Sequence, residues 1–102
     1  LQIIAQARCE IEAMRLMVLK AAKAMDVLGN KEARIWASMV KAMVPERTCK
    51  IIDQAIQIHA ATGISEWTPL ANMYADVRHL RFADSPDEVH WMVVGRHELS
   101  MS

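Results

Sequence analysis

The chain is 102 residues long, enough for one domain, and its formal net charge is zero, with twelve Lys and Arg against twelve Asp and Glu. A hydrophobic fraction of 53% excludes a disordered tail, and the interspersed charges offer no basic block for nucleic acid or an anionic membrane. Aromatics at 5% and eight methionines, among abundant Ala, Leu, Ile, Lys and Glu, favour helix over sheet.

In the first segment Ile4, Ile11, Val18 and Met25 recur every seven residues, interleaved with Ala7, Met14, Ala21 and Leu28. This is the pattern of an amphipathic helix with a seam for helix partners, stopped by Gly29-Asn30. Arg8, Glu10 and Glu12 break the apolar run, so the N-terminus is not a signal peptide, and no stretch is long and apolar enough to span a bilayer. The chain begins at Leu1 rather than Met, which suggests a piece of something longer or a processed product.

A second segment runs from about Lys31 to Ala61 and is expected to be one long helix kinked at Pro45, with Gly63 as its stop. Ala33, Trp36, Ala37, Val40 and Val44 mark one stretch of its face; Ile52, Ala55, Ile56 and His59 mark another. Thr68 as N-cap and Pro69 at the first helical position open a third segment with Leu70, Met73 and Val77 on one face. Ser85-Pro86-Asp87-Glu88 opens a fourth, followed by Val89, Met92, Val93 and Leu99. The expected fold is all-α, a single domain over residues 1–102 built as an up-and-down four-helix bundle. Cys9 and Cys49, far apart and outside any CxxC, read as reduced thiols.

The stretch FADSPDEVHW, from Phe82 to Trp91, crowds acids around a proline. A capping box explains part of it: Ser85 Oγ accepting from the Glu88 N–H, the Glu88 carboxylate reaching back to Ser85, and Asp87 at the positive end of the helix dipole. Asp84 lies outside that box. On spacing alone it is a solvated turn carboxylate.

A resemblance gives Asp84 another role. AIQIHAATGIS (Ala55 to Ser65), PLANMYADVRHLRFADSPDEVH (Pro69 to His90), GRHEL (Gly95 to Leu99) and QARCEIEAMRLMVLKAAKAMD (Gln6 to Asp26), in that order, resemble the C-terminal helical domain of the acyl-CoA dehydrogenases. The resemblance implies the C-terminal part of a larger FAD-dependent enzyme that dehydrogenates a fatty acyl-CoA between its α and β carbons. It also implies a homodimer or homotetramer packed through this bundle and an electron-transfer flavoprotein as acceptor. The compartment would be the cytoplasm in a bacterium, or the mitochondrion or peroxisome in a eukaryote. Asp84 stands where relatives place the catalytic glutamate, the base that takes the α proton. Gln57 matches a glutamine that helps hold the adenine side of FAD from the neighbouring subunit. Ala60 and Ala61 replace a usual Gly-Gly, and Pro86 and Glu88 stand near the flavin nucleotide where Thr and Gln are common. Ser85 replaces the usual glycine of the catalytic turn, which matters where that turn needs positive φ. Ala83 replaces a tyrosine lining the acyl pocket, implying a roomier pocket.

Other chemistry is poorly supported. His59, His79, His90 and His97 form no HExxH or Cys/His cluster, and Asp87-x-x-His90 alone lacks the further ligands of a di-iron site, so no metal is expected. There is no Gly-rich phosphate loop and no GxSxG. The methionine-rich faces are core or oligomer interface, with Trp36, Trp67 and Trp91 as candidate anchors. The alternative to an enzyme domain is a stand-alone helical self-association module that binds no flavin.

Overall fold

The computed structural model describes residues 1–101. Among them lie four α-helices and no strand: α1 (Gln2–Val27), α2 (Asn30–His59), α3 (Leu70–His79) and α4 (Asp87–Met101), with a short 3₁₀ turn at Ala60–Ile64 after α2. This is the expected all-α, four-helix architecture. α2 is its hub: α1, α3 and α4 each pack on α2, and α1 meets neither α3 nor α4. The molecule is correspondingly elongated, 47 × 26 × 25 Å.

The first break falls where expected, but its mechanism differs. Gly29 is in extended conformation at φ −65° and serves as the N-cap of α2, so the stop is a two-residue extended connector rather than a left-handed cap. Of the two interleaved rows on α1, Met14 and Ala21 are buried against α2, together with Ala24, while Ile4, Ile11, Val18 and Met25 remain largely exposed. α2 is helical straight through Pro45, which is buried with Ala33, Ser38, Ala42, Cys49 and Ile52 along the hub. Ala42, at 0% exposure, has no room for a larger side chain.

The end of α2 corrects one expectation. Ala60 stops the helix at φ 53°, ψ −138°, a backbone region that favours glycine. Gly63 does something else: a Cβ there would meet the Ile56 carbonyl oxygen at 2.6 Å and its Cα at 2.9 Å. Its missing side chain lets the 3₁₀ turn lie on the backbone of α2. Helix α3 starts one residue later than expected, with Pro69 rather than Thr68 in the N-cap place; Thr68 Oγ1 accepts from the Leu70 N–H at 3.4 Å and donates to the Gly63 carbonyl at 3.1 Å.

α4 presents an unexpected face. Val89, Met92 and Leu99 are exposed, whereas Asp87 is buried and His90, Val93, Val94 and His97 are half-buried. The side turned to α2 therefore mixes polar and apolar groups. Cys9 is exposed, Cys49 is buried, and both are free thiols.

Candidate functional site

Between α3 and α4 the chain turns through residues 80–86, and Asp84 sits at its apex. Two consecutive residues there, Asp84 at φ 57° and Ser85 at φ 94°, have positive φ although neither is glycine. Each such residue costs on the order of 1–3 kcal/mol and persists only where its surroundings over-determine it. Ser85 thus holds a backbone conformation that glycine adopts freely.

That conformation also undoes the expected capping box. An N-cap residue needs extended backbone, with φ negative, before its hydroxyl reaches the second or third helical N–H. At φ 94° Ser85 is elsewhere, and no side-chain hydrogen bond joins it to Glu88 among the described residues. Helix α4 begins instead at Asp87, with the Val89 N–H donating to the Pro86 carbonyl at 3.0 Å.

The base of the turn is tied in three places. The Asp87 N–H donates to the Arg81 carbonyl at 3.0 Å, the Arg81 Nε donates to Asp87 Oδ2 at 3.0 Å, and Arg81 Nη2 lies 2.9 Å from the same oxygen. Asp87 is only 6% exposed. Burial alone pushes its carboxyl pKa up, but the hydrogen bonds and charge of Arg81 outweigh burial and hold it below the ordinary 3.8. The Arg81 pKa is raised in turn by its hydrogen bond to Asp87. Lys41 of α2 adds a tether by donating from Nζ to the Leu80 carbonyl.

Asp84 lies on the rim of an open cleft of about 600 Å³ between α1, α2 and this turn. Its walls are apolar, from Val18, Ala21 and Met25 on α1 and from Ala37, Val40 and Val44 on α2, with Arg34, Ser38, Lys41 and His90 as polar neighbours. His90 Nδ1 lies 3.3 Å from Ser38 Oγ, while its Nε2 is buried without a partner among the described residues. The volume is that of a small-ligand pocket. Ala83 adjoins Asp84 but does not line this cleft.

The residues associated with FAD fall into two places. Pro86 and Glu88 follow Asp84 and are exposed. Gln57, Ala60 and Ala61, also exposed, lie at the far end of α2. From Lys41, beside Asp84 on the cleft, to Gln57 is roughly 24 Å along the helix at 1.5 Å per residue. One chain therefore does not bring Asp84 and Gln57 to the same point. The far end of α2 suits a nucleotide cofactor: the Gln57 side chain makes no hydrogen bond among the described residues, and Ala60 keeps a glycine-type backbone despite its methyl. His59 is exposed, with Nδ1 2.8 Å from the Ala55 carbonyl. No group of three or more His, Cys, Asp or Glu side chains that could hold a metal occurs among the described residues.

Reading the sequence did not single out Arg81, Lys41 or Ser38. Arg81 precedes Asp87 by six residues across a non-helical turn, a spacing with no recognisable signature.

Residues 2–99 match the family model for the acyl-CoA dehydrogenase C-terminal domain. The chain is 50% identical over 96 residues to "Acyl-CoA dehydrogenase family member 11" of Rattus norvegicus, covering 94% of this chain and 12% of that protein. It is 50% identical over 99 residues to "Probable acyl-CoA dehydrogenase FadE2" of Mycobacterium tuberculosis, covering 97% of this chain and 24% of that protein. A solved structure of "a putative acyl-CoA dehydrogenase from Mycobacterium abscessus" superposes with a TM-score of 0.94 at 44% identity, over 98% of this chain and 25% of that one. The chain thus spans a quarter or less of the length of these relatives.

Proposed function

This chain belongs to the acyl-CoA dehydrogenase family, as its C-terminal helical domain, and from that premise we propose that it is part of a larger FAD-dependent enzyme that oxidises a fatty acyl-CoA thioester to its α,β-unsaturated product. Asp84 is the base in this reading. The observation that carries it is the placement of an exposed carboxylate, on a turn with strained backbone, at the rim of an apolar cleft.

The chemistry follows from those surroundings. The α proton of a thioester is only weakly acidic, so its removal needs a carboxylate freed of water and fixed over the α carbon. The cleft walls supply apolar surface for the chain of the acyl group, and the turn fixes the carboxylate. Asp84 is exposed in this domain alone, so the rest of its desolvation comes from the parts of the enzyme that cover it. FAD, when bound, accepts the hydride from the β carbon. Pro86 and Glu88 would adjoin it on the Asp84 side. Gln57, with the Ala60–Ala61 backbone, would hold a second FAD whose catalytic carboxylate comes from another subunit, which fits the length of α2 between the two places.

The domain by itself is then catalytically silent, and the working unit is a homodimer or homotetramer that passes electrons to an electron-transfer flavoprotein. It resides in the cytoplasm of a bacterium, or in the mitochondrion or peroxisome of a eukaryote. The test is Asp84→Ala in the full-length flavoprotein. Flavin reduction by acyl-CoA should slow by about 10²–10⁴-fold, with flavin content retained; a near-normal rate would remove Asp84 from the role. Ala83 lies outside the cleft of this domain, so the wall it would form for the acyl chain is completed by other parts of the enzyme, and with a methyl there the enzyme should also accept long acyl chains. A chain-length series showing strict preference for the shortest substrate would contradict this.

A further inference from the structure

The turn that carries Asp84 holds a backbone conformation that non-glycine residues seldom adopt. Asp84 and Ser85 have positive φ in succession, and only Ala60 shares that feature among non-glycine residues described. Such a turn relaxes unless something holds it. The holding groups are Arg81 and Asp87, which close the loop from its two ends. One backbone hydrogen bond and two guanidinium contacts converge there, all at 2.9–3.0 Å. The pair is well shielded, with side-chain exposures of 29% and 8%. Arg81 also leans on α2, sharing a small polar pocket with Glu46 and Cys49, so the clamp is seated on the hub helix.

Resting on the assignment of Asp84 as base, we infer that the Arg81–Asp87 ion pair is a positioning device, which forces the turn into its left-handed form and thereby aims the Asp84 carboxylate at the α carbon. Neither residue touches substrate. Both act through the backbone of residues 82–86. A guanidinium suits this task because its rigid fork fixes direction as well as charge, which an ammonium does not. Ser85 makes the clamp necessary: glycine reaches φ 94° freely, whereas serine must be held there.

The experiment uses the full-length flavoprotein and four variants: Arg81→Met, Arg81→Lys, the double variant Arg81→Met with Ser85→Gly, and Asp84→Ala. The expected result for Arg81→Met is flavin reduction slowed at least tenfold at saturating acyl-CoA, with KM within twofold and flavin content unchanged. Backbone amides of residues 83–87 should exchange with deuterium at least tenfold faster. Arg81→Lys should recover part of the rate. Adding Ser85→Gly to Arg81→Met should recover more, because the turn then needs less restraint. A purely structural ion pair would lower the melting temperature without this kcat-specific loss and without rescue by glycine at position 85. An Arg81→Met enzyme with wild-type reduction rate and wild-type exchange, beside an inactive Asp84→Ala, overturns the clamp and leaves the base standing. An active Asp84→Ala overturns the base itself, and the positioning role falls with it.

Discussion

Ser85, Gly63 and Asp87 show how much single side chains decide in this small domain. At φ 94° Ser85 holds a Cβ in a conformation that suits glycine, so Ser85→Gly should stabilise the fold by about 1 kcal/mol. In a domain of this size that is roughly 4–8 °C in a thermal melt. Gly63→Ala should do the reverse. Its new Cβ meets the backbone of Ile56 rather than a flexible side chain, and a loss of about 1–3 kcal/mol is expected in urea titration. Asp87 adds a pH dependence. Its folded pKa lies below the ordinary 3.8, so the stability it contributes is present above about pH 4 and is lost as pH falls through the folded value. Melts of the wild type and Asp87→Asn should differ most at neutral pH and converge in acid. A difference that does not shrink as pH falls below about 4 would mean the ion pair is not its source.

Among the elements, α2 bears the greatest constraint, because every other helix rests on it. Ala42 marks its tightest point, and Ala42→Leu should cost about 1–3 kcal/mol by overpacking, whereas the same change at exposed Ala22 should be close to neutral. The helices themselves were legible in the sequence because heptad spacing, the Gly29-Asn30 break and the Thr68-Pro69 start are local signals. Which row of α1 turns inward was not. Ile4, Ile11, Val18 and Met25 are the bulkier row, yet α2 takes Met14 and Ala21 with Ala24, and the two alanines admit close approach. The candidate site divides in the same way. That Asp84 lies in the turn before α4 was legible from the Ser85-Pro86-Asp87-Glu88 stretch that follows it, and so was the question that Ser85 poses. The Arg81–Asp87 closure was not, because it depends on a turn geometry that neither residue announces. The capping box failed for the same reason: its sequence is present, and the positive φ of Ser85 denies it.

At the scale of the whole molecule, the buried core is slight and made chiefly of small residues, Ala21, Ala24, Ala33 and Ala42 with Met14, Cys49 and Ile52. Large apolar side chains stand outside it, among them the row on α1 and Trp67 at 90% exposure. A surface of this kind belongs at an interface. The isolated 102-residue chain is therefore expected to sediment as something larger than 11.5 kDa, and Ile4→Lys with Ile11→Lys should shift it toward the monomer. A monodisperse monomer in the unaltered chain would count against that expectation. The hub arrangement has one more consequence. With α1 joined to the rest through α2 alone, no packing among the described residues makes its loss wait for the loss of α3 or α4. The structure comes apart like branches from a trunk rather than staves from a barrel, and the trunk, bearing both the tether at Lys41 and the free amide of Gln57, is the part that must outlast the others for either end to keep its shape.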